Sequence, residues 1–187
     1  VLAEGENEKV IRAAHILIEE GVAHPIVLGS PHVIGGIAHD LNLSLDGIQI
    51  VEPRFSDRRD DYARRVYELR QRRGVTMSEA RELVLNPNYF AAAMVDIGDA
   101  DGMISGLSFH YPDVLRPLLQ VIKTAPDTDI AAGVYMVTLK DRVLFFADTT
   151  VNVHMDAAKM AQIAVLTARL ARQFDIEPRV AMLSYSN

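Results

Sequence analysis

The sequence predicts an α/β protein built on a largely parallel sheet with one antiparallel hairpin. Three observations lead there. Short apolar runs closed by Gly alternate with segments whose apolar residues recur at helical spacing. The first such unit, run–helix–run over residues 1–28, is the usual source of parallel strands, because a crossover helix carries the chain back. By contrast, residues 131–139 and 143–147 are joined by a short loop at Lys140-Asp141, which suits an antiparallel pair.

Taken in order, Val1–Ala3 is a short strand and Glu4-Gly5-Glu6-Asn7 the turn after it, with Asn7 able to cap a helix by accepting a free backbone N–H. Val10, Ile11, Ala14, Leu17 and Ile18 mark that helix, and Gly21 stops it because the residue past a helix end often takes positive φ. Pro25–Leu28 is a buried strand closed by Gly29. Pro31–Asp40 is a weak helix, expected to break at Gly35-Gly36. Ile48–Val51 is the next strand. Asp57–Arg73 is a charge-rich helix with Tyr62, Val66 and Leu69 on one stripe, ended by Gly74. Thr76-Met77-Ser78-Glu79 fits a capping box and starts a helix to about Leu85. Asn86-Pro87-Asn88 interrupts, with Asn88 starting the next helix through Tyr89–Asp96. Gly98-Asp99-Ala100-Asp101-Gly102 is an acidic turn, and Met103–Ser105 a buried strand ended by Gly106. Pro112–Ile122 is a helix expected to face Leu115, Leu118, Leu119 and Ile122 inward. Beyond the hairpin, Asp156 caps a helix to about Phe174, and Arg179–Leu183 is a final strand leading into Ser184-Tyr185-Ser186-Asn187. Thr124–Asp129 is the best linker, dividing a domain over residues 1–125 from a second region over 130–187.

Composition excludes several classes. Hydrophobic residues at 49% with 24% charged residues argue against intrinsic disorder. The absence of Cys removes disulfide scaffolds and cysteine zinc sites, and is compatible with a cytoplasmic location. Apolar runs fall short of a membrane span. The net charge of −6 disfavours bulk electrostatic binding of nucleic acid. His15, His24, His32, His39, His110 and His154 are scattered, so no metal site is expected.

Three features could carry chemistry. Asp99 and Asp101 suit either a divalent cation or ordinary turn formation, and the turn is the simpler reading. Arg70 ends the charge-rich helix, and Arg116 lies early in the helix after a Gly-containing loop. Each is either a fork of donors for phosphate or carboxylate, or a solvated Arg paired with Asp113 or Asp99. Ser184 and Ser186 follow an apolar strand, where open α/β sheets bind ligands, and are either donors to a phosphoryl oxygen or part of a plain turn.

Longer motifs point to a family. Residues 97–106 (I-G-D-A-D-G-M-I-S-G), 115–124 (L-R-P-L-L-Q-V-I-K-T), 146–152 (F-A-D-T-T-V-N) and 177–187 (E-P-R-V-A-M-L-S-Y-S-N) resemble the phosphate acetyltransferase/butyryltransferase family, as does the opening V-L-A-E-G-E-N. The resemblance implies a three-layer, two-domain α/β fold with a cleft between the domains, a homo-dimer, and acetyl transfer between coenzyme A and phosphate. It places Arg70 and Arg116 where the family has arginines for substrate or coenzyme A, and Ser184 and Ser186 in its Ser-rich loop. It also implies that this chain covers roughly the first three-fifths of a family member. A Ser-Arg pair and an Asp base would then lie beyond it, leaving a first domain without its closing segment and apolar faces to be covered by that segment or another chain.

Some residues depart from the family pattern. Phe109-His110-Tyr111 replaces a His-Thr-Thr run, Thr149 stands where Cys is common, and Asn187 ends the Ser-Tyr-Ser-Thr motif. Bulk at His110 and Tyr111 is expected to narrow the pocket that orients phosphate. The pattern of Tyr111-Pro112, Leu115-Arg116-Pro117 and Ser-Tyr-Ser-Asn resembles the C-terminal module of bacterial NADP-dependent malic enzymes. That resemblance implies a catalytically silent domain that binds acetyl-CoA or a related acyl-CoA as allosteric effector and helps build a homo-oligomer. NADP and a divalent metal would be confined to the malic-enzyme region of the same polypeptide. The alternatives are an active phosphate acetyltransferase and a purely structural dimerisation domain.

Overall fold

The computed structural model describes residues 1–152 and 155–183. The chain forms two compact units, Val1–Lys123 and Thr124–Asn187.

The first unit is organised by a small parallel sheet. Strand β1 (Ile26–Leu28) pairs in parallel with β2 (Gln49–Val51), with Val27 opposite Ile50. On the other side of β1, Leu2 bridges in parallel to Val27 and also to Ile104. Hydrogen bonds confirm the order: Leu2 N–H donates to the Ile26 carbonyl at 2.8 Å, and Ile104 N–H to the Val1 carbonyl at 2.9 Å.

Alternate residues along these strands face opposite layers, as strand geometry requires. Leu2 and Val27 pack with Ile11 and Ala14 of α1 (Glu8–Glu19) and Ile34 and Ala38 of α2 (Pro31–Asp40). Ala3 and Leu28 face the other way. They join Tyr62, Ala63 and Val66 of α3 (Arg59–Arg70), Ala80 of α4 (Met77–Leu83), residues of α5 (Pro87–Ile97), and Val121 of α6 (Tyr111–Val121). The result is helices, sheet, helices: a three-layer α/β unit.

Caps set the helix starts. Asn7 Oδ1 accepts from Lys9 N–H at 3.0 Å. The capping box is present, with Thr76 N–H donating to Glu79 Oε2 at 2.8 Å and Glu79 N–H to Thr76 Oγ1 at 3.2 Å. Thr76→Ala is expected to lower stability by about 1 kcal/mol, the usual worth of such a cap, read as a shift in the urea midpoint at constant slope.

Several local expectations are corrected. Gly35-Gly36 does not break α2, because Ile34 and Ala38 are fully buried on either side and hold the helix against α1. The α3 helix is shorter than 57–73; residues 71–73 tighten into a 3-10 turn before Gly74 at φ 90°. Asn86, not Asn88, caps α5, with Pro87 in the first turn, where a missing N–H costs nothing. The 103–105 segment makes a single bridge, and Ile104 is 69% exposed. On α6 the inward stripe is Val114, Pro117, Leu118 and Val121, while Leu119 and Ile122 are exposed. That stripe follows the 3–4 spacing of a helix face and is rotated away from the row of Leu residues.

In the second unit, β3 (Val134–Thr138) and β4 (Val143–Ala147) form the antiparallel hairpin, Val134 opposite Ala147. Asp156 caps α7 (Ala157–Gln173) by accepting from Lys159 N–H at 2.8 Å. Phe174, just beyond α7, lies 6.0 Å from Phe145, centroid to centroid. Residues 179–183 are not a strand: Val180, Met182 and Leu183 are exposed, and no ladder partner is present among the described residues.

Candidate functional site

Parallel strands end together, so their following loops gather at one edge. Here Ala3–Gly5, Leu28–Ser30, Glu52–Arg54 and Ser108-Phe109 line an open cleft of about 500 Å³, with Pro87 at the start of α5 on its wall. Gly5 is required there. A Cβ would sit 2.2 Å from Val27 Cγ1 and 2.5 Å from the Leu28 carbonyl oxygen, both fixed parts of β1.

Glu4 is the most strongly held group at this edge. It is only 9% exposed. Its carboxylate accepts the backbone N–H of Gly106 (2.6 Å), Leu107 (2.8 Å) and Ser108 (2.6 Å), and the Ser108 hydroxyl (2.5 Å). Burial alone would raise its pKa, but the Ser108 hydroxyl and then the three N–H donors outweigh it and bring the value down to about 2. Glu4 therefore stabilises the fold above the unfolded carboxylate pKa, and that contribution is lost as pH falls from about 4.5 towards 2. The loss is on the order of 3 kcal/mol. An acid titration of Tm is expected to show it, and Glu4→Gln to flatten that limb.

Beside Glu4, the Ser105 hydroxyl donates to Asn88 Oδ1 at 2.6 Å, and Asn88 Nδ2 reaches the Asp113 carbonyl at 3.5 Å. Asn88 is fully buried. A polar chain thus runs from the end of the first strand, through α5, to the first turn of α6.

The sequence singled out other residues. Arg70 is the last residue of α3, and its Nε is buried with no hydrogen-bond partner among the described residues. Arg116 is exposed on α6. Burial raises the Tyr89 pKa, and the positive charges of Arg116 and then Arg70 lower it. The Tyr89 hydroxyl donates to Gln120 Oε1 at 2.7 Å. Arg70 and Arg116 stand on α3 and α6, two helices that both pack against α5. Neither arginine lines the cleft beside Glu4. Ser184 and Ser186 lie outside the described residues.

Asp99 is held by Arg58 (2.8 Å) and by the Tyr62 hydroxyl (2.7 Å). Among the described residues, no group of three or more His, Asp or Glu is placed to hold a metal ion, and no helix is long and apolar enough to cross a membrane. His110 and Tyr111 are exposed at the start of α6 and do not line the cleft, so their bulk does not narrow it.

The fold and this edge define a three-layer α/β protein with an open cleft beyond its parallel strands. Residues 1–187 match the family model for phosphate acetyl/butaryl transferase, and the chain belongs to that family. It is 44% identical over 186 residues to a phosphate acetyltransferase of Nitratidesulfovibrio vulgaris, covering 100% of this chain and 26% of that protein. It is 38% identical to a phosphate acetyltransferase of Corynebacterium glutamicum, of which it covers 56%. The structure of a phosphotransacetylase from Streptococcus pyogenes superposes with a TM-score of 0.93 at 35% identity, over 99% of this chain and 56% of that one. The chain thus spans between about a quarter and just over half the length of these relatives.

These relatives overturn the malic-enzyme expectation, and with it the oxidoreductase activity, the NADP and the fused catalytic region. Full-length similarity runs to proteins named phosphate acetyltransferase. The departures that suggested otherwise sit largely at the exposed start of α6, where side-chain identity is weakly constrained by packing.

Proposed function

We propose that the protein carrying this chain transfers an acetyl group between coenzyme A and phosphate. The observation that carries this reading is the 44% identity, across the whole chain, to a protein named phosphate acetyltransferase. Arg70 and Arg116, on two helices that pack against α5, support it, since the reaction has an anionic phosphoryl group at its centre. In this reading the sulfur of coenzyme A attacks the carbonyl carbon of acetyl phosphate and forms the thioester bond. The bond between that carbon and the bridging oxygen breaks, phosphate leaves with the electron pair, and the thiol's proton ends on the phosphate. The arginines offset charge on that leaving group. Acetyl-CoA is then substrate or product rather than effector, and a cytoplasmic homo-oligomer is the setting that goes with it.

The test is direct. The protein carrying this chain is incubated with acetyl phosphate and coenzyme A, and the thioester and inorganic phosphate are measured. Equal amounts of both are expected. A folded protein that binds coenzyme A but forms no thioester would overturn the reading.

A further inference from the structure

We infer that Glu4 is a positioning residue for Arg116, acting through the loop at residues 105–108 and the start of α6. This rests on the acetyl-transfer reading above. Five donors reach one carboxylate: three consecutive backbone N–H groups of a loop that has no regular secondary structure, the Ser108 hydroxyl, and at 3.4 Å the Ser105 hydroxyl. Without that anion, those donors would be partly buried and unmatched, and the loop would lose its conformation.

The loop matters because of what it joins. Its first residue, Ser105, holds Asn88. Asn88 reaches the first turn of α6 at Asp113, on the helix that bears Arg116. The loop then runs through Phe109, on the cleft wall, directly into α6, with Arg116 one turn beyond Asp113. The internal carboxylate at the end of the first strand therefore sets where the helix bearing Arg116 begins. Gly5 completes the arrangement, because only a residue without a side chain lets the segment after Glu4 lie against β1. Glu4 spends all five of its carboxylate's hydrogen bonds on the protein itself, which marks it as a strut and not a general base.

The experiment is a double-mutant cycle in the protein carrying this chain, using Glu4→Gln and Arg116→Lys. If Glu4 acts by placing Arg116, Glu4→Gln lowers kcat at least tenfold, with the KM for coenzyme A changed less than threefold. The same change then costs under threefold in the Arg116→Lys background. Glu4→Asp, which keeps the charge with a shorter reach, recovers part of the loss. Equal losses in both backgrounds, or no loss at all, overturn the inference. Should Glu4→Gln fail to fold, Ser108→Ala removes one donor and is read the same way, with a smaller effect of three- to tenfold.

An inactive parent protein overturns the acetyl-transfer reading instead. The inference is then judged by titrating inorganic phosphate: Glu4→Gln should weaken its binding at least fivefold, and only in the presence of Arg116. Unchanged affinity, or no phosphate binding by the parent protein, overturns it.

Discussion

Arg70→Ala and Arg116→Ala are each expected to lower kcat/KM for acetyl transfer roughly 100- to 1,000-fold, the usual cost of removing one group that stabilises transition-state charge. The two should differ in their effect on folding. Arg70 keeps its Nε buried without an acceptor among the described residues. A buried donor with no partner costs free energy, so the folded chain carries Arg70 at a disadvantage that an anionic ligand would relieve. Arg70→Ala should therefore leave Tm unchanged or slightly raised while activity falls. Arg70→Lys should recover little, because an ammonium cannot reproduce the planar fork of a guanidinium. Arg116 is exposed, and its removal should leave Tm unchanged. Steady-state kinetics beside thermal melts check both. A structural dimerisation role predicts the reverse pattern, with kinetics untouched by either substitution.

The sequence points to Arg70 and Arg116 as candidates, but not to the helices they stand against. Arg70 and Arg116 stood out because long motifs surround them, and because a guanidinium near a helix end is a recognisable anion ligand. That their helices, α3 and α6, both pack against α5 is a tertiary fact, and no local pattern encodes it. Glu4 was passed over as part of a turn. Its partners lie more than 100 positions away, and only the parallel bridge between Leu2 and Ile104 brings them together. The available signal was weak: an acid followed by Gly directly after the first strand of a parallel sheet, at the edge where ligands gather.

Fold class was easier because it rests on period. The alternation of apolar runs and helix-spaced stripes identified the layers, and caps such as Asn7, Thr76 and Asp156 set helix starts through local hydrogen bonds. Misreadings fell where tertiary packing outweighs local preference. Two glycines survive inside α2 because the residues flanking them are buried. Residues 179–183 have strand-like composition, but strand formation needs a neighbouring ladder, which composition does not supply.

Phe90→Ala is expected to produce the largest loss of stability, about 3–5 kcal/mol. Phe90 is fully buried at the centre of the first unit, and its ring meets Tyr62 edge-on, 4.8 Å between centroids at 88°. Truncation would remove that contact and leave a cavity walled by α3 and α5. Tyr62 cannot move in to fill it freely. Its hydroxyl is tied to Asp99, and burial together with that bond pushes its pKa up to about 12, keeping it a donor. The cavity should therefore stay open, and the cost should fall at the upper end of the range. Phe90→Leu, which keeps most of the volume, should cost less than half as much. Urea unfolding of both variants measures this. Phe90 follows Asn88 and Tyr89 directly on α5, so loosening this turn also loosens the residues that bond to Asp113 and Gln120 of α6, the helix that bears Arg116. Activity should thus fall in Phe90→Ala even at temperatures where the protein remains folded. If activity per folded molecule were unchanged, the packing of α5 and the geometry of the arginine site would be independent, and the structural link between them would be wrong.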